Sequence, residues 1–262
     1  MLSASAPTTR MLPQFSAVIP AFNEANRIGE TLQSTLAFLL QHSPESELIV
    51  INDGSTDTTG AVARQVLSAA QVETHLLENF PNRGKGAAVR KGLLAATRPI
   101  GLFFDADLST PLEETSKVVE PIARGDVDIA FGSRALDRKM IGTRQSWRRE
   151  QGGRVFNLIV RLSTGLPFWD TQCGFKAFRL DVCRPILQAA QIDGFAFDVE
   201  LLYRAYRAGL RLVEVPVHWN HSEGSKIELV RDSLRMFREV MTLRKSVGPN
   251  EAAAEEESSL AA

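Results

Sequence analysis

The chain has 262 residues, of which 44% are hydrophobic and 23% charged, and a formal net charge of -1. That is long enough to bury a substantial core in one large α/β domain or two small ones, and the near-neutral charge excludes the global basic field of a nucleic-acid binder. Two cysteines, Cys173 and Cys183, match no metal-ligand spacing and cannot build a disulfide framework, which points to a reducing, cytoplasmic compartment. No apolar run approaches the roughly 20 residues of a membrane-crossing helix. No basic and then apolar leader opens the chain either, so membrane contact is expected to be peripheral, at the inner face of the cytoplasmic membrane.

Taken in order, residues 1–13 are rich in Ser, Thr and Pro and are expected to be disordered. Phe15–Pro20 is a short apolar run ended by proline and predicts a buried strand. Glu24–Gln41 carries Ile28, Leu32, Thr35, Leu36 and Leu39 at helical spacing. Strands are then predicted at Glu47–Asn52, Val72–Leu77, Ile100–Phe104 and Val127–Phe131. They alternate with helices from Asp57 to about Ala69, over Gly84–Thr97 and over Pro111–Arg124. Such alternation implies an α/β fold with a mostly parallel central sheet flanked by helices. The second half is less regular. It offers a helix near Val155–Ser163, a hairpin or strand at Gly174–Phe178, a helix at Phe197–Ala208 and a strand at Arg211–Val215. An amphipathic helix, set at 227–246, and a solvated tail at 247–262 complete it. Residues 14–226 are read as the catalytic domain.

In open parallel sheets ligands bind beyond the carboxyl ends of the strands. Three polar segments qualify: Pro20-Ala21-Phe22-Asn23-Glu24, Asp53-Gly54-Ser55-Thr56-Asp57 and Asp105-Ala106-Asp107. Asp105 and Asp107 flank one small residue after a purely apolar strand. Strand alternation would turn both to one side, where they can hold Mg²⁺ or Mn²⁺ together with diphosphate oxygens; the alternative is a solvated loop with an Asp cap. Asp53 can accept a hydrogen bond from a base or ribose, and Gly54 permits close backbone approach. Asp57 reads better as a helix cap. Arg83-Gly84-Lys85-Gly86 opens a helix whose N-terminus, with Lys85, suits an anion. Neither a Walker A loop nor a Gly-x-Gly-x-x-Gly dinucleotide fingerprint is present, which disfavours a nicotinamide oxidoreductase.

These four segments, in this order, resemble family 2 glycosyltransferases of the GT-A fold, the Rossmann-like fold of nucleotide-diphospho-sugar transferases. The resemblance implies that Pro20, Asn23, Glu24, Asp53 and Gly54 hold the nucleotide, that Lys85 lies near it, and that Asp105-Ala106-Asp107 is the metal-binding aspartate motif. Four further segments are Gly132-Ser133-Arg134, Asp170–Lys176, Phe195–Leu201 and Glu223–Lys226. They look like those of dolichyl-phosphate β-glucosyltransferases and bacterial polyprenyl-phosphate relatives, extending the resemblance over roughly residues 14–240.

The implied activity is inverting transfer of a hexose, glucose favoured, from a UDP- or GDP-sugar to a polyprenyl or dolichyl phosphate. Mannosyl transfer, a soluble hydroxyl acceptor and a non-catalytic nucleotide-sugar binder are the alternatives. Arg134, Arg148 and Arg149 are candidates for the acceptor phosphate, because guanidinium matches phosphate oxygens bidentately. Lys85 or Lys226 would neutralise the leaving diphosphate, Gln172 would contact sugar or phosphate, and Asp198 would orient the acceptor or act as base. His218 and His221 read as structural or surface residues. The last helix carries Ile227, Val230, Leu234, Phe237 and Met241 on one stripe among basic residues, which suits either a lipid interface or a cover for the core.

Overall fold

The computed structural model describes residues 11–142, 147–220 and 229–246, with side chains except at 138, 147–150, 154, 229–234 and 244–246. The expected tails beyond residues 11 and 246, and the Glu223–Lys226 segment with Lys226 and His221, lie outside the described residues, as do the side chains of Arg148 and Arg149.

Seven strands form one sheet: β1 (Ser16–Ala21), β2 (Glu47–Asp53), β3 (Glu73–Asn79), β4 (Ile100–Phe104), β5 (Ile129–Ser133), β6 (Phe175–Arg179) and β7 (Leu212–Pro216), in the spatial order β3-β2-β1-β4-β6-β5-β7. Every neighbouring pair is parallel except those of β6, which runs antiparallel to both β4 and β5. The eight α-helices of the described residues are α1 (Ile28–His42), α2 (Thr59–Leu67), α3 (Lys85–Ala95), α4 (Thr115–Ala123), α5 (Trp147–Thr164), α6 (Leu180–Ala189), α7 (Phe197–Arg207) and α8 (Leu229–Ser246). None of the described helices is long and apolar enough to cross a membrane.

Strand periodicity builds two cores. Ala17, Ile19, Leu48, Val50, Leu102 and Phe104 face α1, α2 and α4, while Val18, Ile49, Ile51 and Phe103 face α3 and α5–α8. Strands β2 and β4 are buried along their full length, which is why they read as continuous apolar runs. Helix α3 lies directly over β1 and β2 because Gly92 has no side chain. A Cβ there would stand 2.5 Å from Ile51 Cδ1 and would also strike Val18.

The structure refines three expectations. Helix α1 starts at Ile28 rather than Glu24, since residues 24–27 form a turn closed by Ile28 N donating to the Glu24 carbonyl. Its entry is tied instead to the next loop, where Asn23 N donates to Ser55 Oγ and Glu24 N to Thr59 Oγ1. Helix α6 was not foreseen. Its apolar stripe of Leu180, Cys183 and Leu187 is short and holds Pro185, which weakens the helical signal. In α8 the core-facing residues are Met236, Val240 and Leu243, whereas Phe237 and Met241 of the expected stripe are exposed. The helix covers the core and keeps part of its apolar surface outside.

Gly92→Val should destabilise the protein by about 1–3 kcal/mol through overpacking, with the secondary structure intact. Urea unfolding followed by circular dichroism measures this; an unchanged midpoint would mean that α3 can lift off the sheet at no cost.

Candidate active site

The carboxyl ends of β1, β2 and β4 lie side by side, and β6, running the other way, brings its first residues to the same edge: Phe104 pairs with Phe175, and Asp105 N donates to the Gly174 carbonyl at 3.2 Å. The loops after these strands, the start of α3 and the start of α7 enclose one polar cluster.

At its centre Lys85 Nζ sits 2.6 Å from Asp105 Oδ1. Burial disfavours the ammonium. The carboxylates of Asp105, Asp198 and Asp107 more than offset this and raise its pKa above the usual lysine range, so all three act on one cation. Asp107 is not a strand residue. The strand ends at Phe104, and a turn closed by Leu108 N on the Asp105 carbonyl at 3.2 Å carries Asp107, whose Oδ1 accepts from Ser109 N. The pair is thus brought together by a turn rather than by strand alternation. The Ala106 carbonyl accepts from Thr31 Oγ1 at 2.6 Å and anchors this turn to α1. Gly174 faces the Asp105 carboxylate so closely that a Cβ would lie 3.0 Å from Oδ1.

Behind the cluster lies a charge pair that the motifs alone did not reveal. Lys176, fully buried within β6, places Nζ 2.6 Å from Asp198 Oδ1 and 5.4 Å from the Phe103 ring centroid. Burial lifts the Asp198 carboxyl above the ordinary range, although Lys176 and Lys85 pull the other way. The available signal was a single lysine between Phe175 and Ala177-Phe178, a charge that an all-apolar strand tolerates only with a partner.

Asp53 is held by the protein around it. It is 2% exposed, and its two carboxylate oxygens accept from Asn79 Nδ2 (2.8 Å), Asn82 Nδ2 (2.8 Å), Arg83 N (3.1 Å) and Gly84 N (2.8 Å). These four bonds shape the β3–α3 loop and hold it against the end of β2. Gly54, at φ +70, serves the same packing: a Cβ would lie 2.5 Å from Asn82 N. The close approach it allows is to the protein's own loop. The N-terminus of α3 is likewise no open anion site, since Gly86 N and Ala87 N both donate to the Asp193 carbonyl.

The remaining residues split. Pro20 is the one partly exposed residue of β1, and Asn23, at φ 53, accepts through Oδ1 from Thr56 N at 2.8 Å, so this loop and the Asp53 loop form one wall. Glu24 pairs with Arg27 at 3.0 Å. Arg134 donates from Nε and Nη2 to the two oxygens of buried Asp170, at 2.7 and 2.8 Å, and lies 5.6 Å from the Trp219 ring centroid. Two of its donors are therefore already engaged. Gln172 is half-buried in the loop before β6. His218 Nδ1 lies 2.8 Å from Glu114 Oε1, a structural bond as expected.

Comparison with known proteins finds relatives over most of the chain. The model of glycosyl transferase family 2 matches residues 16–187. A dolichyl-phosphate β-glucosyltransferase of Drosophila melanogaster is 38% identical over 88% of this chain and 74% of its own length. One from Dictyostelium discoideum is 32% identical over 87% and 73%, and the human protein of that name 30% over 88% and 75%. Among solved structures, a glucosyl-3-phosphoglycerate synthase from Mycobacterium tuberculosis, crystallised with Mn²⁺, UDP and glucosyl-3-phosphoglycerate, superposes with TM-score 0.63 at 22% identity. It covers 90% of this chain and 81% of that one. The same synthase, crystallised with Mg²⁺ and UDP, gives a TM-score of 0.63.

Asp198→Ala would leave the Lys176 ammonium buried without its partner, and should cost about 3–5 kcal/mol in urea unfolding. The paired change Lys176→Met with Asp198→Leu should recover most of that loss. If the single variant is as stable as the parent, the two groups do not hold each other.

Proposed function

We propose that this chain, which belongs to glycosyl transferase family 2, transfers glucose with inversion from a UDP- or GDP-sugar to a polyprenyl or dolichyl phosphate at a membrane surface. The observation that carries the chemistry is the convergence of Asp105, Asp107 and Asp198 on Lys85 at the carboxyl edge of the sheet. The acceptor class is supported by the similarity of the chain to dolichyl-phosphate β-glucosyltransferases.

Around Lys85 and Lys176 three carboxylates face two ammonium groups, an excess of negative charge that suits a divalent cation. Asp105 and Asp107 would hold Mg²⁺ or Mn²⁺, which when bound neutralises charge developing on the leaving nucleoside diphosphate. The fold neighbours crystallised with these ions and UDP support that assignment. Lys85 adds a donor beside the same oxygens, and outside the described residues Lys226 would do the same. The wall made by Pro20, Asn23 and Glu24 and the loop shaped by Asp53 and Gly54 would enclose the nucleotide.

A phosphate monoester is already anionic near neutral pH and needs little help from a base. Asp198, bound to Lys176, therefore serves to position charge, not to take a proton. Arg134 and Gln172 would face the acceptor, Asp170 fixing the guanidinium plane.

The lipid reading draws on one surface. Helix α5 exposes Val155 (57%), Leu158 (54%) and Leu162 (74%), and α8, which touches it through Met241 Sδ and Ser163 Oγ at 3.3 Å, exposes Phe237 (40%) and Met241 (50%). An apolar strip beside basic residues suits the boundary between headgroups and acyl chains.

Asp105→Asn and Asp107→Asn should each lower turnover at least about a hundredfold, and chelator should silence the parent until Mg²⁺ or Mn²⁺ is returned. A donor panel with a short polyprenyl phosphate, read by mass spectrometry, assigns the sugar and nucleotide; full activity in chelator would refute the metal assignment. Flotation with vesicles of anionic lipid should carry the protein upward. Leu158→Asp with Leu162→Asp should abolish flotation and raise KM for the lipid without changing donor binding, and no flotation of the parent, with full activity on a soluble sugar, would remove the lipid acceptor.

A further inference from the structure

The opposite edge of the sheet, where β2 and β3 begin, carries a second cluster that takes no part in the chemistry above. Glu47 and Glu73 are paired in register across these two strands, and His75 lies two residues beyond Glu73. Register and alternation put all three side chains on one face. Glu47 is fully buried. Its Oε1 accepts from Ser16 Oγ (2.6 Å), Thr97 N (2.6 Å) and Thr97 Oγ1 (2.8 Å), while its Oε2 is buried without a hydrogen-bond partner. That oxygen lies 3.3 Å from His75 Nε2, which is also 3.1 Å from Glu73 Oε1. The other oxygen of Glu73 is held by Arg98 Nη2 at 2.7 Å, and Arg98 is itself fixed by its Nε donating to the Glu45 carbonyl at 2.7 Å.

We propose that Glu47 Oε2, Glu73 Oε1 and His75 Nε2 bind one divalent transition ion of the zinc class, separate from the ion at Asp105 and Asp107. Ligand bonds of about 2.0–2.2 Å in a tetrahedral site set neighbouring donor atoms about 3.3–3.6 Å apart, close to the 3.3 and 3.1 Å at which His75 Nε2 stands from the two carboxylate oxygens. The three donors lie within 4.8 Å of one another. Each carboxylate has one oxygen satisfied by fixed protein donors and the other turned to the shared point, the arrangement by which outer partners orient metal ligands. An imidazole with two carboxylates suits Zn²⁺ and does not suit Mg²⁺, so the two sites differ in the ion they select. The fourth position, toward solvent past the half-exposed His75 and Glu73, is left for water. An ion there would clamp the edge strand β3 to β2.

The test uses the full chain carrying Asp105→Asn and Asp107→Asn, with Zn²⁺ alone as probe. Titration calorimetry should show one equivalent bound, and at a hundredfold excess over Kd the Tm should rise by about 5–10 °C. Adding His75→Ala should weaken binding at least about tenfold and abolish the Tm rise. His75 is exposed enough for its replacement to leave the fold intact, and the Tm of that variant without Zn²⁺ checks this. Absence of Zn²⁺ binding, or binding unchanged by His75→Ala, would overturn the proposal.

Discussion

Lys176 holds its ammonium in the middle of the sheet with no solvent exposure, and the surrounding chain is arranged to compensate it. An isolated charge in that position would cost several kcal/mol, so Asp198 must stand where it does, at the first turn of α7, and the Cys173 carbonyl must turn inward to accept at the same time. This pair fixes the start of α7 against β6. It also adds a second carboxylate behind Lys85, so the electrostatics of the reactive edge follow from a contact that never reaches solvent. The reversal of β6 makes the pair possible. A parallel strand in that place would have carried Lys176 toward the other edge.

Around this anchor, several residues read as ligand contacts also hold one another. Asp53 is the clearest case. Its carboxylate organises the β3–α3 loop through four donors, two of them main-chain amides. Removing it would disturb the position of Gly84 and Lys85 before any effect on a direct contact. Arg134 and Asp170 behave alike, with a bidentate pair fixing the plane of the guanidinium. Such sites gain precision from supports one layer out, and defects there spread to groups several ångströms away.

The strand and helix alternation of the first half was legible because β1, β2 and β4 are buried on both faces and read as unbroken apolar runs between polar loops. The placing of Asp105, Asp107 and Lys85 at one edge followed from that alternation. The orientation of β6 was not legible, because a five-residue strand carries no mark of its direction. With it were hidden the partnership of Lys176 and Asp198 and the closeness of Gly174 to Asp105. The commitment of Asp53 could not be read either. Asn79, Asn82 and the amides of Arg83 and Gly84 lie 26 to 31 residues away, and their convergence is set by tertiary packing. The apolar residues of α8 occupy more of the circumference than the core covers, which is why its sequence suited both a core cover and a lipid interface.

An open sheet ends in two strands with unpaired backbone groups, and here they are β3 and β7. Strand β3 carries Glu73, His75 and Glu78 along its length, and its burial alternates instead of being continuous. Arg98 and Lys91 reach it from neighbouring segments, Lys91 Nζ bonding the Glu78 carbonyl at 2.7 Å. A second molecule approaching strand to strand would have to strip water from these charges and bring like signs together. The β3 side of the sheet is thereby kept from growing sideways into aggregates, a protection the chain needs most while it is being folded at high concentration.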